Sequence, residues 1–179
     1  DAFLSASLKI PTKLAADNLV DKPVVFARNR IVVAVASSTT TISSIEDLAK
    51  PGVTIAIGSP SVPIGSYADK IIAALPPATQ AKLKANVKTR EPDASSVSAK
   101  VTSGTVEAAI LYATDIKASK GALKAIEIPV ALGSMTKCAA AVVKGTGNEA
   151  AAAKYIANLL TPQSQKILVA NGFLPAPKR

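Results

Sequence analysis

The sequence predicts an α/β protein with largely parallel sheets, and three observations carry that prediction. β-branched runs alternate with helix-like stretches along all 179 residues, without internal repeats or low-complexity segments. The composition is globular: 49% hydrophobic, enough to bury a sizeable core, but only 3% aromatic, so Ala, Val, Ile and Leu must fill it. The longest β-like run, VVFARNRIVVAVA at 24–36, is followed at once by SSTTT at 37–41, and a further strand pattern, KCAAAVVKG, returns late in the chain. Two successive α/β lobes joined by crossing strands account for both features, with the Ser/Thr tract as candidate hinge.

In chain order, DAFLSAS reads as a strand, and PTKLAADNLV, with Pro11 at a first helical position, as a short helix. After the long strand, Ser43 or Ser44 caps an expected helix SIEDLAK, whose Glu46 and Asp47 suit the positive end of the helix dipole. Pro51-Gly52 stops it. VTIAI is a short buried strand, and the helix near Gly65 carries Tyr67, Ile71, Ile72 and Leu75. A second helix, ATQAKLKANV, follows Pro76-Pro77; Val87–Arg90 is a short strand. In DASSVSAKVTSG, Asp93, Ser95 and Ser96 are alternative caps of a helix with Val97 and Val101 on one face and Gly104 as its stop. AAILYATD, 108–115, reads as a buried strand, ALKAIEIP as another, and the chain closes with helices over 148–160 and 162–172.

The stretch with the most functional promise is 53–69, VTIAIGSPSVPIGSYAD: strand, tight turn, helix start. Free N–H groups in the first turn of such a helix bind small anions without a charged side chain. Most strand-turn-helix junctions bind nothing, so the pattern alone marks only a candidate.

Inventory excludes much else. With no His and a single Cys, Cys138, the sequence cannot build Ser-His-Asp or Cys-His catalysis, the usual zinc sites or an internal disulfide. Cys138 sits in an Ala-rich strand, as a small buried thiol would. Asp69, Asp93 and Asp115 read as caps and surface charges rather than acid–base groups, and no catalytic constellation emerges. The net charge of +9 favours anions, but Lys and Arg are scattered, with no basic run longer than Lys178-Arg179, so nucleic acid is not expected. No apolar stretch is long enough to span a membrane and no signal peptide is visible; composition leaves the compartment open.

The pieces DAFLSAS, ARNRIVVAVA, IEDLAKPGVTIAIGSPSVPIGSYA, AAILYATDIKASKG, AAAVVKG and ANLLTPQSQKILVANGF, in this order, resemble the periplasmic molybdate-binding proteins of ABC import systems. The most specific parts are GSPSVPIGSYA and AAILYATDI. The resemblance implies a two-lobed type II periplasmic-binding-protein-like fold, with lobe one at 1–38 plus 139–179 and lobe two at 39–138. It implies capture of a tetrahedral oxyanion, molybdate or tungstate, for a membrane permease. No further cofactor, direct metal ligand or enzymatic activity is implied. The donors that carry over are the backbone N–H of Ile64, the backbone N–H of Ala94 and the hydroxyl of Tyr112, which lies 18 residues after Ala94. The location is periplasmic or extracytoplasmic, with membrane anchoring through a preceding segment left open.

Three departures stand beside this resemblance. Ile64 occupies a position where the family usually has Ala, an exchange expected to narrow the site or alter its closure, and Ser59 replaces the family's Asp. TKCAAAVV replaces the family's YPVAV stretch. Family members also carry a strand, helix and second strand, roughly fifty residues of βαβ chain, before the position of DAFLSAS, and two Ser hydroxyl donors come from it. Lobe one is therefore expected to be incomplete here, unless a second chain completes it. The other readings are a ligand-sensing domain of a transcription regulator with the same fold, and a truncated scaffold binding another small anion.

Overall fold

The computed structural model describes residues 1–177; Lys178 and Arg179 lie outside them. In order, the elements are β1 (Ala2–Ser5), α1 (Lys9–Ala16), β2 (Val24–Ala36), β3 (Ile55–Gly58), α2 (Pro63–Ala73), α3 (Pro77–Asn86), β4 (Val87–Glu91) and α4 (Ala94–Thr102). They continue with β5 (Ala108–Tyr112), α5 (Ala113–Ala118), β6 (Leu123–Glu127), β7 (Met135–Val142), α6 (Glu149–Leu159) and α7 (Pro162–Ala170). The chain divides into two compact units: unit 1 comprises Asp1–Asn29 and the chain from Thr136 onward, unit 2 comprises Arg30–Met135.

Unit 2 is built on helical crossovers. β3 runs parallel to both β4 and β5, reached through α2, α3 and α4. β2 alone opposes them: Ile31 pairs with Tyr112 and Val35 with Ala108 on β5, while Val33 pairs with Ile126 on β6, both antiparallel. Since β5 and β6 both oppose β2, the four crossover-linked strands share one direction, so the parallel character read from the sequence belongs to β3–β6. The strands of such a covered sheet are apolar on both faces, and Ile55, Ala56, Ile57, Ala108, Ala109, Ile110 and Leu111 are all 0% exposed.

Unit 1 contains β1 antiparallel to β7, with Ala2 opposite Val142 and Ser5 opposite Ala139, and β2 on the other side of β7. Its core mixes small and large residues: Phe26, Ala27, Cys138, Ala140, Val142, Ala152 and Ile156, with Leu159, Leu168 and Phe173 against it. Gln165 ties α7 to this core, donating to the carbonyls of Phe26 (2.8 Å) and Leu159 (2.7 Å) and accepting from the N–H of Ala176 (2.9 Å).

Four expectations are corrected. The unit boundaries fall inside strands, at 29/30 and 135/136, not at 38/39 and 138/139, because Ile31–Ala36 pair with β5 and β6 whereas Cys138 packs in the core of unit 1. The Ser/Thr tract is accordingly no hinge. It lies within unit 2, where the Ser37 N–H donates to the Ala122 carbonyl (3.0 Å), its hydroxyl to that of Gly121 (2.5 Å), and the Lys124 ammonium to that of Thr39.

The expected helix at 44–50 is only a 3-10 turn, Glu46–Ala49. There the Asp47 carboxylate accepts from the N–H and hydroxyl of Ser43 (2.8 and 2.9 Å) and the N–H of Ser44 (3.2 Å), closing the segment before Pro51-Gly52 ends it. Finally, the strand expected through 115 stops at Tyr112. Asp115 accepts the Tyr112 N–H (3.1 Å), turning the chain into α5, which sequence reading had missed.

Candidate functional site

β4, β3 and β5 are adjacent and parallel, and they end at Glu91, Gly58 and Tyr112. The two longer helices that follow them, α2 and α4, start beside these ends. The carboxyl edge of an open α/β sheet is where such folds accommodate ligands, because helix N-termini and their free amides gather there.

The loop from Gly58 to Gly65 is held by its own backbone. The Ser59 N–H donates to the Glu91 carbonyl (2.8 Å), the Val62 N–H to the Ser59 carbonyl (3.1 Å), and Ser66 is the first α2 amide to find an acceptor, the Val62 carbonyl (3.0 Å). Pro63 opens the helix, where its missing N–H costs nothing. Among the described residues no acceptor meets the N–H of Ile64 or Gly65, as expected for a first turn. The turn leaves no room for more atoms: a Cβ on Gly65 would sit 1.9 Å from the Ser59 carbonyl oxygen and 2.4 Å from that of Gly58. A Cβ on Gly58 would lie 2.6 Å from Cγ2 of Ile64. The Ile64 side chain is therefore packed against Gly58 and 2% exposed.

Ala94 opens α4 behind the N-cap Asp93, whose carboxylate accepts from the Ser96 N–H (2.7 Å) and the Ser95 hydroxyl (2.6 Å). Those bonds, the Ser95 hydroxyl foremost, hold the Asp93 carboxyl below the usual carboxylate range. Among the described residues no backbone acceptor meets the first-turn N–H of Ala94. Tyr112 ends β5 with 7% exposure. Its backbone is fixed by Asp115, whose carboxyl is pushed up by burial, against the opposing effect of the Tyr112 N–H bond. Ile64, Ala94 and Tyr112 thus all lie at the carboxyl edge of one sheet, within unit 2.

Reading the sequence missed the frame around them. Arg90 on β4 forms a two-pronged ion pair with Asp69 on α2 (2.8 and 3.2 Å) and also donates to the Gly58 carbonyl (3.2 Å). Asp69 is therefore no cap. Nothing in the spacing of residues 69 and 90 signals this contact, because the intervening α3 brings them together only in the fold.

Elsewhere the chemistry is plain. Among the described residues no group of three or more His, Cys, Asp or Glu could hold a metal ion, and no helix is long and apolar enough to cross a membrane. Burial pushes the Cys138 thiol up to about 11, which makes it unreactive. A cavity of about 990 Å³ opens in unit 1 between Pro23–Val25, Gln165 and the tail at Pro175–Pro177, with Lys22 the ionisable side chain among its described lining residues.

Residues 1–174 match the family of bacterial extracellular solute-binding proteins. The chain belongs to this family. A molybdate-binding protein ModA of Mycobacterium tuberculosis is 29% identical over 175 residues, covering 97% of this chain and 65% of the relative. A Clostridium difficile structure described as the substrate-binding domain of a molybdenum ABC transporter is 27% identical, with a TM-score of 0.77 over 99% of this chain and 77% of that one. The periplasmic molybdate-binding protein of Azotobacter vinelandii, 20% identical, shares the fold with a TM-score of 0.83, covering 99% of this chain and 79% of its own. The α/β periplasmic-binding-protein fold expected from the sequence is borne out by these neighbours. The chain spans 65% of the length of the ModA relatives.

Proposed function

We propose that this solute-binding protein captures a tetrahedral oxyanion, molybdate or tungstate, and delivers it to the membrane permease of an ABC import system. The N–H of Ile64, the N–H of Ala94 and the hydroxyl of Tyr112 serve as ligand donors. The observation that carries the reading is the convergence of three parallel strand ends, with the two helices that start there, at the carboxyl edge of the unit 2 sheet. The names of the relatives point to the same ion class.

The chemistry suits a dianion. Aligned amide and hydroxyl dipoles offset the loss of hydration, and the metal centre keeps its own oxygens, so no side chain ligates it. Neutral donors also avoid over-stabilising an ion that must be released to a transporter. The net charge of +9 steers anions from a distance, without a basic patch for nucleic acid. The working location is extracytoplasmic, in keeping with the family, and an anchoring segment would hold the protein near its permease.

Titration calorimetry with molybdate, and sulfate as control, tests this. Saturable molybdate binding with much weaker sulfate binding is expected. One ion per chain assigns the donors to a single copy, and one ion per two chains assigns some of them to a partner copy. Tyr112→Phe is expected to weaken binding by about 1–2 kcal/mol, the worth of one such hydrogen bond. No binding by a folded, monodisperse sample would remove the proposed function, and unchanged affinity in the variant would remove Tyr112 from the site.

A further inference from the structure

We propose that Arg90, paired with Asp69, is a positioning residue for the anion loop Gly58–Gly65, and that it acts by keeping the Gly58 carbonyl away from the amides that bind the ligand. The proposal rests on the oxyanion reading above. Its geometric basis is a single guanidinium that joins three elements: Nη1 donates to the Gly58 carbonyl at the end of β3 (3.2 Å) and to Asp69 Oδ2 (3.2 Å), and Nη2 donates to Asp69 Oδ1 on α2 (2.8 Å).

The Gly58 carbonyl is the acceptor most able to spoil the site. Its oxygen lies 2.4 Å from where a Cβ on Gly65 would stand, so it already crowds the turn that carries the open amides of Ile64 and Gly65. A carbonyl in that place, released from its own donor, gains by turning onto a free N–H. Such a bond would consume a ligand donor. Arg90 supplies the carbonyl with a donor from the adjacent parallel strand β4, while the neighbouring Ser59 N–H is held by the Glu91 carbonyl (2.8 Å). Two successive β4 residues therefore fix two successive loop residues.

Asp69 has its own part. It fixes the planar guanidinium in a two-pronged bond that a lysine cannot reproduce. It also neutralises the cation nearest the loop, so that the anion meets dipoles rather than a competing charge. The side chains of Arg90 and Asp69 are 37% and 36% exposed, so their ion pair adds little to global stability. Its consequence is local.

The test uses the full chain in Arg90→Ala, Arg90→Lys, and the charge-swapped double variant Asp69→Arg/Arg90→Asp. Hydrogen exchange without ligand reads the amides of Ser59, Val62 and Ser66, and calorimetry reads molybdate affinity. Arg90→Ala is expected to lose protection at these amides and to bind molybdate about tenfold more weakly, with little change in melting temperature. Arg90→Lys is expected to recover only part of either. The swap restores the ion pair but not the bond to Gly58, so its melting temperature should match the wild type while loop protection and affinity stay reduced. Wild-type exchange and affinity in Arg90→Ala would overturn the proposal, as would full recovery in the swap, which would credit the ion pair alone. If the wild type binds no molybdate, the function proposed above fails, and the exchange data still decide whether Arg90 holds the loop.

Discussion

The two units bury their apolar residues very differently. All twelve of the largest fully buried side chains, from Ile31 through Ile57 and Leu83 to Leu111, belong to unit 2. Six of the seven large hydrophobics left exposed belong to unit 1: Leu4, Ile10, Leu19, Tyr155, Ile167 and Val169. Unit 2 stacks branched aliphatics on a sheet with helical crossovers. More than half of the buried core cluster of unit 1 is small, with Ala27, Ala140, Ala152 and Cys138 burying little area each beside Phe26, Val142 and Ile156. The donors proposed above all belong to unit 2, and its tightly packed core suits that proposal, because an anion site made of backbone amides needs a rigid frame.

The sharpest way to break this comparison is a matched pair of truncations. Leu111→Ala, at a position 0% exposed, is expected to cost about 3 kcal/mol of unfolding free energy, whereas Ile167→Ala, 58% exposed, should stay within about 0.5 kcal/mol. Urea unfolding of both variants checks it, and similar costs would mean that Ile167 is covered in solution. Next in size is Gly65→Ala. Its new methyl meets two backbone carbonyls, so a cost of about 2 kcal/mol and loss of anion binding are expected, read by urea unfolding and calorimetry.

Helix caps sharpen the comparison further, because each unit has one. Thr161 accepts from the Ser164 N–H (3.3 Å) in unit 1 and Asp93 from the Ser96 N–H (2.7 Å) in unit 2. Replacing either by Ala should cost about 1 kcal/mol, but only Asp93→Ala should also weaken anion binding, since Ala94 follows it. Equal affinities in the two variants would detach the start of α4 from the site.

The smallest expected effects are those of pH, and two carboxyls of unit 2 give opposite signs. Hydrogen bonds from Lys50 and Ser43 hold Asp47 well below the usual range. Its contribution is therefore complete above the unfolded value of about 4 and disappears as pH falls through the folded value; Asp47→Asn should flatten that acid limb of the melting curve. Asp115 is raised by burial, so its ionisation opposes folding above its folded value, and stability from this group grows as pH falls through it. Asp115→Asn keeps an acceptor for Tyr112 and should relieve that opposition near neutral pH. Melting temperatures from acid to neutral pH check both signs.

Legibility followed the range of the interactions. The turn at 58–65 was readable because Gly58, Pro63 and Gly65 each answer a local need: close backbone approach, a first helical residue, a missing Cβ. The 24–36 strand appears at its expected limits, since seven β-branched or aromatic residues among its thirteen leave a helix little chance. The Ser/Thr tract misled because polar composition marks a loop but not what the loop is tied to. The helix after Tyr112 was missed although its signal is local: Asp115, three residues on, accepts the Tyr112 N–H and stops the strand where the apolar pattern would carry it on.

By itself, the sequence determined the alternation of strands and helices, the α/β class, the inert Cys138 and the strand-turn-helix junction around Ile64, all set by composition and by residues a few positions apart. Tertiary structure alone decided that β2 runs against the shared direction of β3–β6, that the units divide within strands, that Ile64 turns inward onto Gly58, and that Arg90 reaches both Asp69 and Gly58. These depend on pairings between residues far apart in the chain, whose loop-closure cost is offset only when the whole sheet forms, and no local pattern carries that information.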